Sequence, residues 1–302
     1  MINALRVGYS VLRYRGGIGQ WAWAINRVAG LGVLLFLALH IADIFVAGLG
    51  PALFDDLLFL YKGPAARVME VFLVFGLFYH GVNGIRLTVM DFVPSLARRH
   101  IDLFYVQLVV FLALFIPAGY FMLAQFFGVV GASVGTAAIL AIPVLVADAA
   151  TVAPMGNTNV QVSSGNYQES LASVASSRGR PHSSFEFDMW LFMRVSGLLL
   201  IFLALFHIFW LHFVISVEAI TFDTIVSRWT GPHGAIWRTY DLFLLAFAFT
   251  HGMNGTQNIL NDYFHAPAWR AALKIGLALL WFVLMTMGLY IIFSFTPATL
   301  PG

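Results

Sequence analysis

The chain has 302 residues, of which 60% are hydrophobic and only 10% are charged, and its formal net charge is +2. This little charge excludes a soluble protein of such length, and its basic residues, which fall between apolar runs, do not indicate nucleic-acid binding. The absence of cysteine excludes a disulfide, a thiolate-ligated iron–sulfur cluster and a covalently attached haem within the chain.

Apolar segments long enough to cross a bilayer follow one another along the chain. Each offers roughly the 20 residues that a transmembrane helix needs. In chain order they are residues 23–48, 67–91, 102–126, 130–149, 190–217, 237–261 and 270–295. We expect no cleavable signal before the first of them, because its basic flank is typical of a cytoplasmic anchor. The sequence therefore predicts an all-α, polytopic transmembrane helix bundle of seven spans.

The third and fourth segments have two interpretations. Residues 102–150 number 49. As one helix they would be about 73 Å long, whereas two crossings need about 60 Å. Glycines in the stretch FFGVVGASVG allow a hairpin between them. We expect two crossings, and a single long helix with an interfacial tail is the alternative.

The two halves of the chain share an ordered set of residues. In the first span of each half, a glycine lies three residues and a histidine thirteen residues after an arginine: Arg27, Gly30 and His40, then Arg194, Gly197 and His207. In the second span, a His-Gly-X-Asn-Gly pentapeptide comes before an aspartate that lies eleven residues after the histidine: His80 and Asp91, then His251 and Asp262. This matched spacing indicates an internal duplication.

The duplication predicts how the halves are oriented. Repeats in the same order keep the same orientation in the membrane, so an even number of crossings must separate equivalent spans, and 130–149 must cross. The predicted organisation is a first repeat of three transmembrane helices at 1–128, a linking transmembrane helix at 129–150, a polar cytoplasmic linker at 151–189, and a second three-helix repeat at 190–302.

The basic residues predict a cytoplasmic N-terminus. In that orientation, 12 of the 16 Lys and Arg side chains fall on the cytoplasmic side. The other four, Lys62, Arg67, Arg228 and Arg238, fall outside. This asymmetry follows the positive-inside rule.

Four histidines lie within spans at equivalent places of the two halves: His40, His80, His207 and His251. A structural hydrogen bond is the alternative for each one, but ionisable residues inside a membrane are costly and are usually functional. Because imidazole is a good iron ligand, we interpret the four as two axial pairs that hold two haems. His212 has no counterpart in the first half, and we expect it at the interface rather than on iron.

Glycines flank the histidines of the second spans. Gly84 and Gly255 each lie four residues after a histidine, on the same helix face, and Gly76 lies four residues before His80. A position without a side chain lets a flat macrocycle or another backbone approach the helix. The repeated aspartates lie about 16 Å further along that face. We expect them to contact a partner or a quinone rather than iron.

The combined pattern resembles a known family. NRVAG with His40, followed by HGVNGIRLTVMDF, resembles the larger cytochrome b anchor subunit of succinate dehydrogenase (complex II). MRVSG with His207, followed by HGMNGTQNILNDYF, is similar to the smaller anchor subunit. The resemblance implies that His80 and His251 ligate a haem on the cytoplasmic side, nearer the iron–sulfur subunit. It also implies that His40 and His207 ligate a second haem on the outer side.

The resemblance also implies a quinone site at the cytoplasmic interface. Its residues would be Arg27, Asp262, Tyr263, Trp23 and Asn26. The last two are departures from the family, because many members have a serine and a histidine at these positions. Arg27 and Arg194 would lie near haem propionates. A further departure is that both anchor subunits are joined in one chain.

We therefore predict the two-haem b anchor of a succinate:quinone oxidoreductase in a bacterial or archaeal cytoplasmic membrane. Succinate would be oxidised on a flavoprotein subunit, and electrons would pass through an iron–sulfur subunit to quinone, with menaquinone favoured over ubiquinone. The sequence leaves open whether the complex forms a higher oligomer. The alternatives are a fumarate reductase anchor with reversed electron flow, a stand-alone di-haem cytochrome b, and a histidine-lined transporter without haem.

Overall fold

The computed structural model describes residues 17–126 and 184–296, which are largely helical and contain no β-strand. The first range holds α1 (Ile18–Val46), α2 (Pro51–Leu60), α3 (Pro64–Phe92) and α4 (His100–Phe126). The second holds α5 (Ser184–Phe209), α6 (Phe222–Thr230), α7 (Gly234–Tyr263) and α8 (Pro267–Ser294). Helix α5 continues into a π-helical turn, Trp210–Ile215. The predicted all-α class is confirmed, whereas the predicted span 130–149 lies outside the described residues.

Within the described ranges, five helical stretches are long and apolar enough to cross a membrane. They are Ile18–Leu49, Pro64–Phe92, Pro94–Ala124, Phe185–Ile215 and Pro267–Ser294. Helix α7 covers the predicted span 237–261 and has 30 residues, but it is less apolar. Its charged residue Asp241 has partners inside the protein, since it accepts hydrogen bonds from Arg228 and Trp229.

The ends of the helices follow local rules. Helix α5 begins at Ser184, inside the predicted linker 151–189. The short helices α2 and α6 were not predicted, because neither is long enough to span. Helix α2 has a proline in its first turn, where no N–H is needed. It follows Gly50, whose φ of 122° a glycine adopts readily. A capping box at Thr221 begins α6.

Four helices form the centre of the bundle. Helix α1 packs against α3 and α7, and α5 packs against the same two helices. Helix α4 lies against α3, and α8 lies against α7 and α1. Helices α1 and α5 begin at the same end, near the last turns of α7 and α3. We call this end the Arg27 end, and the opposite end, where α3 begins, the Arg67 end.

Close contacts recur at equivalent positions of the two halves. A Cβ added to Gly81 would lie 3.9 Å from Ile201, and one added to Gly252 would lie 2.8 Å from Leu34. Ile201 and Leu34 occupy the same place in α5 and α1. Such close approach supplies van der Waals energy between helices in a membrane, where lipid removes the hydrophobic driving force. The halves therefore meet through reciprocal contacts.

The buried core is larger around the second half. Its main cluster includes Phe54, Phe249 and Ile291 and joins α1, α2, α6, α7 and α8. A smaller aromatic cluster around Tyr79 and Phe111 joins α1, α3 and α4. These clusters hold the outer helices against the central four.

Candidate functional site

His80 of α3 and His251 of α7 face each other between the central helices. Their ring centroids are 6.3 Å apart and their planes are perpendicular. Nδ1 of His80 lies 3.1 Å from the carbonyl oxygen of Asn26, and Nδ1 of His251 lies 2.9 Å from the hydroxyl of Ser196. A carbonyl only accepts, so Nδ1 of His80 donates and its Nε2 keeps the lone pair. Occupied Nδ1 atoms of this kind are typical of metal-ligating imidazoles.

His40 of α1 and His207 of α5 form a second facing pair, nearer the Arg67 end. Their centroids are 6.2 Å apart with an interplanar angle of 76°. Phe36 stacks on His40, and Tyr240 stacks on His207. The Nδ1 atom of His207 is buried without a hydrogen-bond partner. Both predicted pairs are thus brought together, each across two helices of different halves.

The spacing of both pairs fits a shared metal. A metal–imidazole bond is about 2 Å long and the ring centre lies about 1.1 Å behind the nitrogen, so two opposed ligands place their centroids about 6.2 Å apart. Within the described ranges, no group of three or more His, Cys, Asp or Glu side chains could hold a metal ion. The centroid spacing therefore fits two imidazoles on one iron, and the other ligands of such an iron would have to come from a cofactor such as a haem.

Glycines provide the space for the imidazoles. A Cβ added to Gly30 would lie 2.9 Å from Cε1 of His80, and one added to Gly197 would lie 3.3 Å from Cε1 of His251. The sequence does not predict that these glycines leave space for the imidazoles, although both belong to the repeat. A Cβ at Gly84 would meet nothing within 4 Å, so open space lies beside it. Gly76 instead packs against the backbone of α1.

Arg27 forms an ion pair with Asp262 at the Arg27 end of the bundle. The guanidinium carbon of Arg27 lies 3.9 Å from the ring centroid of Trp23 and 5.9 Å from that of Tyr263. Tyr263 is 60% exposed, so the group opens to the surface. The carbonyl of the neighbouring Asn26 holds His80, which links this group to the first histidine pair. The structure therefore brings the five predicted quinone-site residues together.

An equivalent group lies on the other side of the same end. Arg194 donates to Asp91 through Nη2 at 2.6 Å and through Nε at 3.0 Å, and it lies over the ring of Trp190 at 4.5 Å. Phe92 occupies the place of Tyr263 and contacts Trp190. Each arginine thus pairs with the aspartate of the other half. Trp190 was missed from the sequence, although its spacing to Arg194 repeats that of Trp23 to Arg27.

His212 lies at the Arg67 end, away from both pairs. Its Nε2 is 3.3 Å from a carboxylate oxygen of Glu70. Arg67, only 6% exposed, pairs with Glu70 at 2.7 Å and with Glu218. The sequence predicts Arg67 in an outer segment. It does not predict this cluster, because Glu218 comes from a distant turn of the chain. His212 therefore contacts an acid at the Arg67 end.

Comparison with known proteins agrees with the assignment as a membrane protein. The family model of the succinate dehydrogenase/fumarate reductase transmembrane subunit matches residues 9–118 and 168–295, and each block contains one half of the central bundle. The chain is also similar to "Succinate dehydrogenase 2 membrane subunit SdhC" of Mycobacterium tuberculosis (strain ATCC 25618 / H37Rv). The two are 34% identical over 106 residues, which are 35% of this chain and 78% of the relative. The chain belongs to the family of succinate dehydrogenase/fumarate reductase transmembrane subunits.

Proposed function

We propose that this chain is the two-haem b membrane anchor of a succinate:quinone oxidoreductase and passes electrons from an iron–sulfur subunit to quinone. The observation that carries the proposal is the presence of two facing imidazole pairs, with ring centroids 6.3 Å and 6.2 Å apart, each formed between helices of different halves. Succinate itself would be oxidised on a flavoprotein subunit, since no flavin fingerprint occurs in this chain.

Each haem would be held by one histidine from each half. His80 and His251 would hold the one nearer the Arg27 end, and His40 and His207 the other. A bis-imidazole b haem supplies reversible one-electron transfer. Asn26 and Ser196 would orient the first pair of imidazoles through Nδ1 and keep Nε2 directed at iron. Arg194, like Arg27, has the charge to pair with a haem propionate.

The proposed quinone site lies around Arg27. The Tyr263 hydroxyl would donate a hydrogen bond to a quinone carbonyl. The guanidinium of Arg27 would stabilise the negative charge that develops on that oxygen during reduction. Asp262 holds Arg27 in place through their ion pair. Trp23, stacked on Arg27, would also present an apolar face to the quinone ring.

The Arg27 end would face the cytoplasm, where the iron–sulfur subunit binds. Most Lys and Arg side chains of the sequence fall on that side. The chain would then lie in a bacterial or archaeal cytoplasmic membrane with its N-terminus inside, and menaquinone would be the favoured acceptor. Helix α4 ends at the Arg67 end and α5 begins at the Arg27 end, which supports a further crossing at 129–150 and a cytoplasmic linker after it.

The same site could also run in the opposite direction. The matched family includes fumarate reductase as well as succinate dehydrogenase subunits, and the residues named above serve quinone reduction and quinol oxidation alike. Succinate oxidation is the proposed direction, and fumarate reduction is the second candidate. The ratio of the two turnover numbers in the purified complex decides between them.

The proposal is tested by purifying the chain with whatever subunits bind it. We expect a flavoprotein and an iron–sulfur subunit to co-purify. Succinate should reduce the haems, which changes their absorbance spectrum, and a soluble quinone analogue should reoxidise them. A chain that purifies alone with haem would instead be a stand-alone cytochrome b. A chain without a haem spectrum would overturn the proposal.

A further inference from the structure

Buried amide groups without partners lie together in the first half of the bundle. Asn83 of α3 is 1% exposed and Gln107 of α4 is 3% exposed. Neither the amide nitrogen nor the amide oxygen of either side chain makes a hydrogen bond of normal distance and angle. Nε of Arg86 is likewise buried and unpartnered. These atoms have hydrogen-bonding capacity that the described protein groups do not use.

The cluster extends along one face of α3, between α4 and α1. Tyr79, Asn83 and Arg86 follow at spacings of four and three residues and so share one face of α3. Gln107 approaches the Tyr79 hydroxyl from α4. That hydroxyl also points at the carbonyl oxygen of Ala22 in α1, at 3.5 Å. The cluster therefore spans from α4 to α1.

One side of the cluster lies near the surface and the other near the proposed quinone site. Arg86 lies over the ring of Phe104, at 5.6 Å from its centroid, about 9 Å along α3 from the last residue of that helix. On the inner side, Ala22 precedes Trp23 in α1. One turn further along α1, Asn26 has a buried amide oxygen without a partner and is followed by Arg27.

The second half does not repeat this arrangement. Thr250 stands in the place of Tyr79, and its hydroxyl oxygen accepts a hydrogen bond from Nε1 of Trp281 at 3.3 Å. Gln257 stands in the place of Arg86. The polar group of the second half thus joins α7 to α8, whereas that of the first half is left with unused donors and acceptors. The cluster is not a packing device common to both repeats.

An unpartnered buried amide lowers stability, and more so where lipid surrounds the protein. Several such groups in one cluster are stable when ordered water, with two to four polar partners for each molecule, satisfies them. We propose that Tyr79, Asn83 and Gln107 bind a file of water molecules that carries protons from the surface at the Arg27 end to the proposed quinone site. The inference rests on the proposed function of that site.

The chemistry of the site requires protons as well as electrons. A quinone becomes a quinol by taking two electrons, here from the iron–sulfur subunit, and two protons, which end on its two oxygens. The electrons arrive through protein, so the protons must come separately from water. The fixed positive charge of Arg86 disfavours a free hydronium in the file. A proton therefore moves only as the reduced quinone takes one up.

The test compares Gln107→Leu and Asn83→Leu in the complete complex with Thr250→Val, a polar-to-apolar change at the second-half position that matches Tyr79. We expect the two leucine variants to lose at least about tenfold in quinone reduction, a typical contribution of positioned proton transfer. Their solvent deuterium isotope effect should rise, while dye-linked succinate oxidation and haem content stay unchanged. Gln107→Glu, which keeps a polar group able to bind water, should retain turnover, and Thr250→Val should show the isotope effect of the unaltered complex.

Unchanged turnover and isotope effect in both leucine variants would overturn the inference. A second measurement does not depend on the variants folding: a high-resolution structure of the unaltered complex should show water within hydrogen-bond distance of the Asn83 and Gln107 amides, and a dry cluster would contradict it. A complex that reduces no quinone at all would contradict the proposed function instead. The water positions would still test the cluster in that case.

Discussion

At the scale of single residues, the two halves place equivalent side chains around an arginine, but they differ in one group that can donate a hydrogen bond. Arg27 and Arg194 each cross to an aspartate of the other half and each lies over a tryptophan. Only the Arg27 group carries a phenol, because Phe92 stands where the other group has Tyr263. A phenol can donate to a carbonyl and a phenyl ring cannot. The duplication therefore leaves one group equipped to bind a quinone carbonyl through this position.

Replacing Tyr263 by phenylalanine tests that assignment. We expect Tyr263→Phe to slow quinone reduction at least about tenfold, which corresponds to roughly 1.4 kcal/mol of transition-state stabilisation. Succinate oxidation with a soluble dye that bypasses the membrane should persist, and both haems should remain. The matched control is Phe92→Tyr, which adds a hydroxyl to the equivalent group and should leave turnover unchanged. Full quinone turnover in Tyr263→Phe would move the site elsewhere.

Gly30 offers a test of the first histidine pair. A side chain at this position would displace the His80 ring, since even a Cβ would lie 2.9 Å from Cε1. We expect Gly30→Val to lose one haem per chain, measured by the absorbance spectrum of the purified complex. Gly32→Val is the control, because a Cβ at Gly32 meets nothing within 4 Å. Equal haem content in the two variants would show that Gly30 does not make room for a ligand.

The sequence predicts the ligand candidates at this scale but not their partners. His40, His80, His207 and His251 could be found because repeated spacing makes them stand out in apolar segments. Spacing along one helix does not report which residue of another helix faces it. The contacts of His80 with Asn26 and of His251 with Ser196 were therefore found only in the structure.

At the scale of elements, length and hydropathy predict the spans better than the segments between them. Helices α2 and α6 are too short to appear in a search for crossings, yet Phe54 and Phe222 from these helices fill the main core. Helix α7 is polar for a span, because its charged residues face protein rather than lipid. The π-helical turn after α5 follows no sequence signal that we recognise, and it positions His212 beside Glu70.

The Arg67 cluster tests how these segments are held together. Arg67 joins the start of α3 to the turn at Glu218. Removing it leaves Glu70 without its cation. We expect Arg67→Ala to lower the free energy of unfolding by about 3 kcal/mol, the lower end for a buried pair because Glu218 is half exposed. A lower thermal midpoint in detergent measures this. Lys62→Ala, at an exposed position nearby, is the control, and equal midpoints for the two variants would contradict a structural role for the cluster.

At the scale of the whole molecule, the two described halves have the same orientation in the bundle. Helices α1 and α5 both begin at the Arg27 end, while α4 ends at the other. This arrangement supports the proposed crossing, which lies outside the described residues. The sequence predicts this crossing at 129–150 from the repeat alone, and the family model matches only the segments on either side of it.

Labelling of an introduced cysteine tests this topology, since the natural chain has none. We expect Ser173→Cys, in the proposed cytoplasmic linker, to resist a membrane-impermeant thiol reagent in intact cells and to react in inverted vesicles. Lys62→Cys, at the Arg67 end, should show the opposite pattern. Reaction of Ser173→Cys in intact cells would mean that the linker lies outside.

The central claim is that this chain holds two haems between its halves, and counting them tests it most directly. A pyridine haemochrome assay on the purified complex should give two b haems per chain. His251→Ala and His207→Ala should each lose one haem and keep the other, because each variant breaks a different pair. A value of one haem per chain in the unaltered protein, or loss of both haems in each variant, would contradict the assignment.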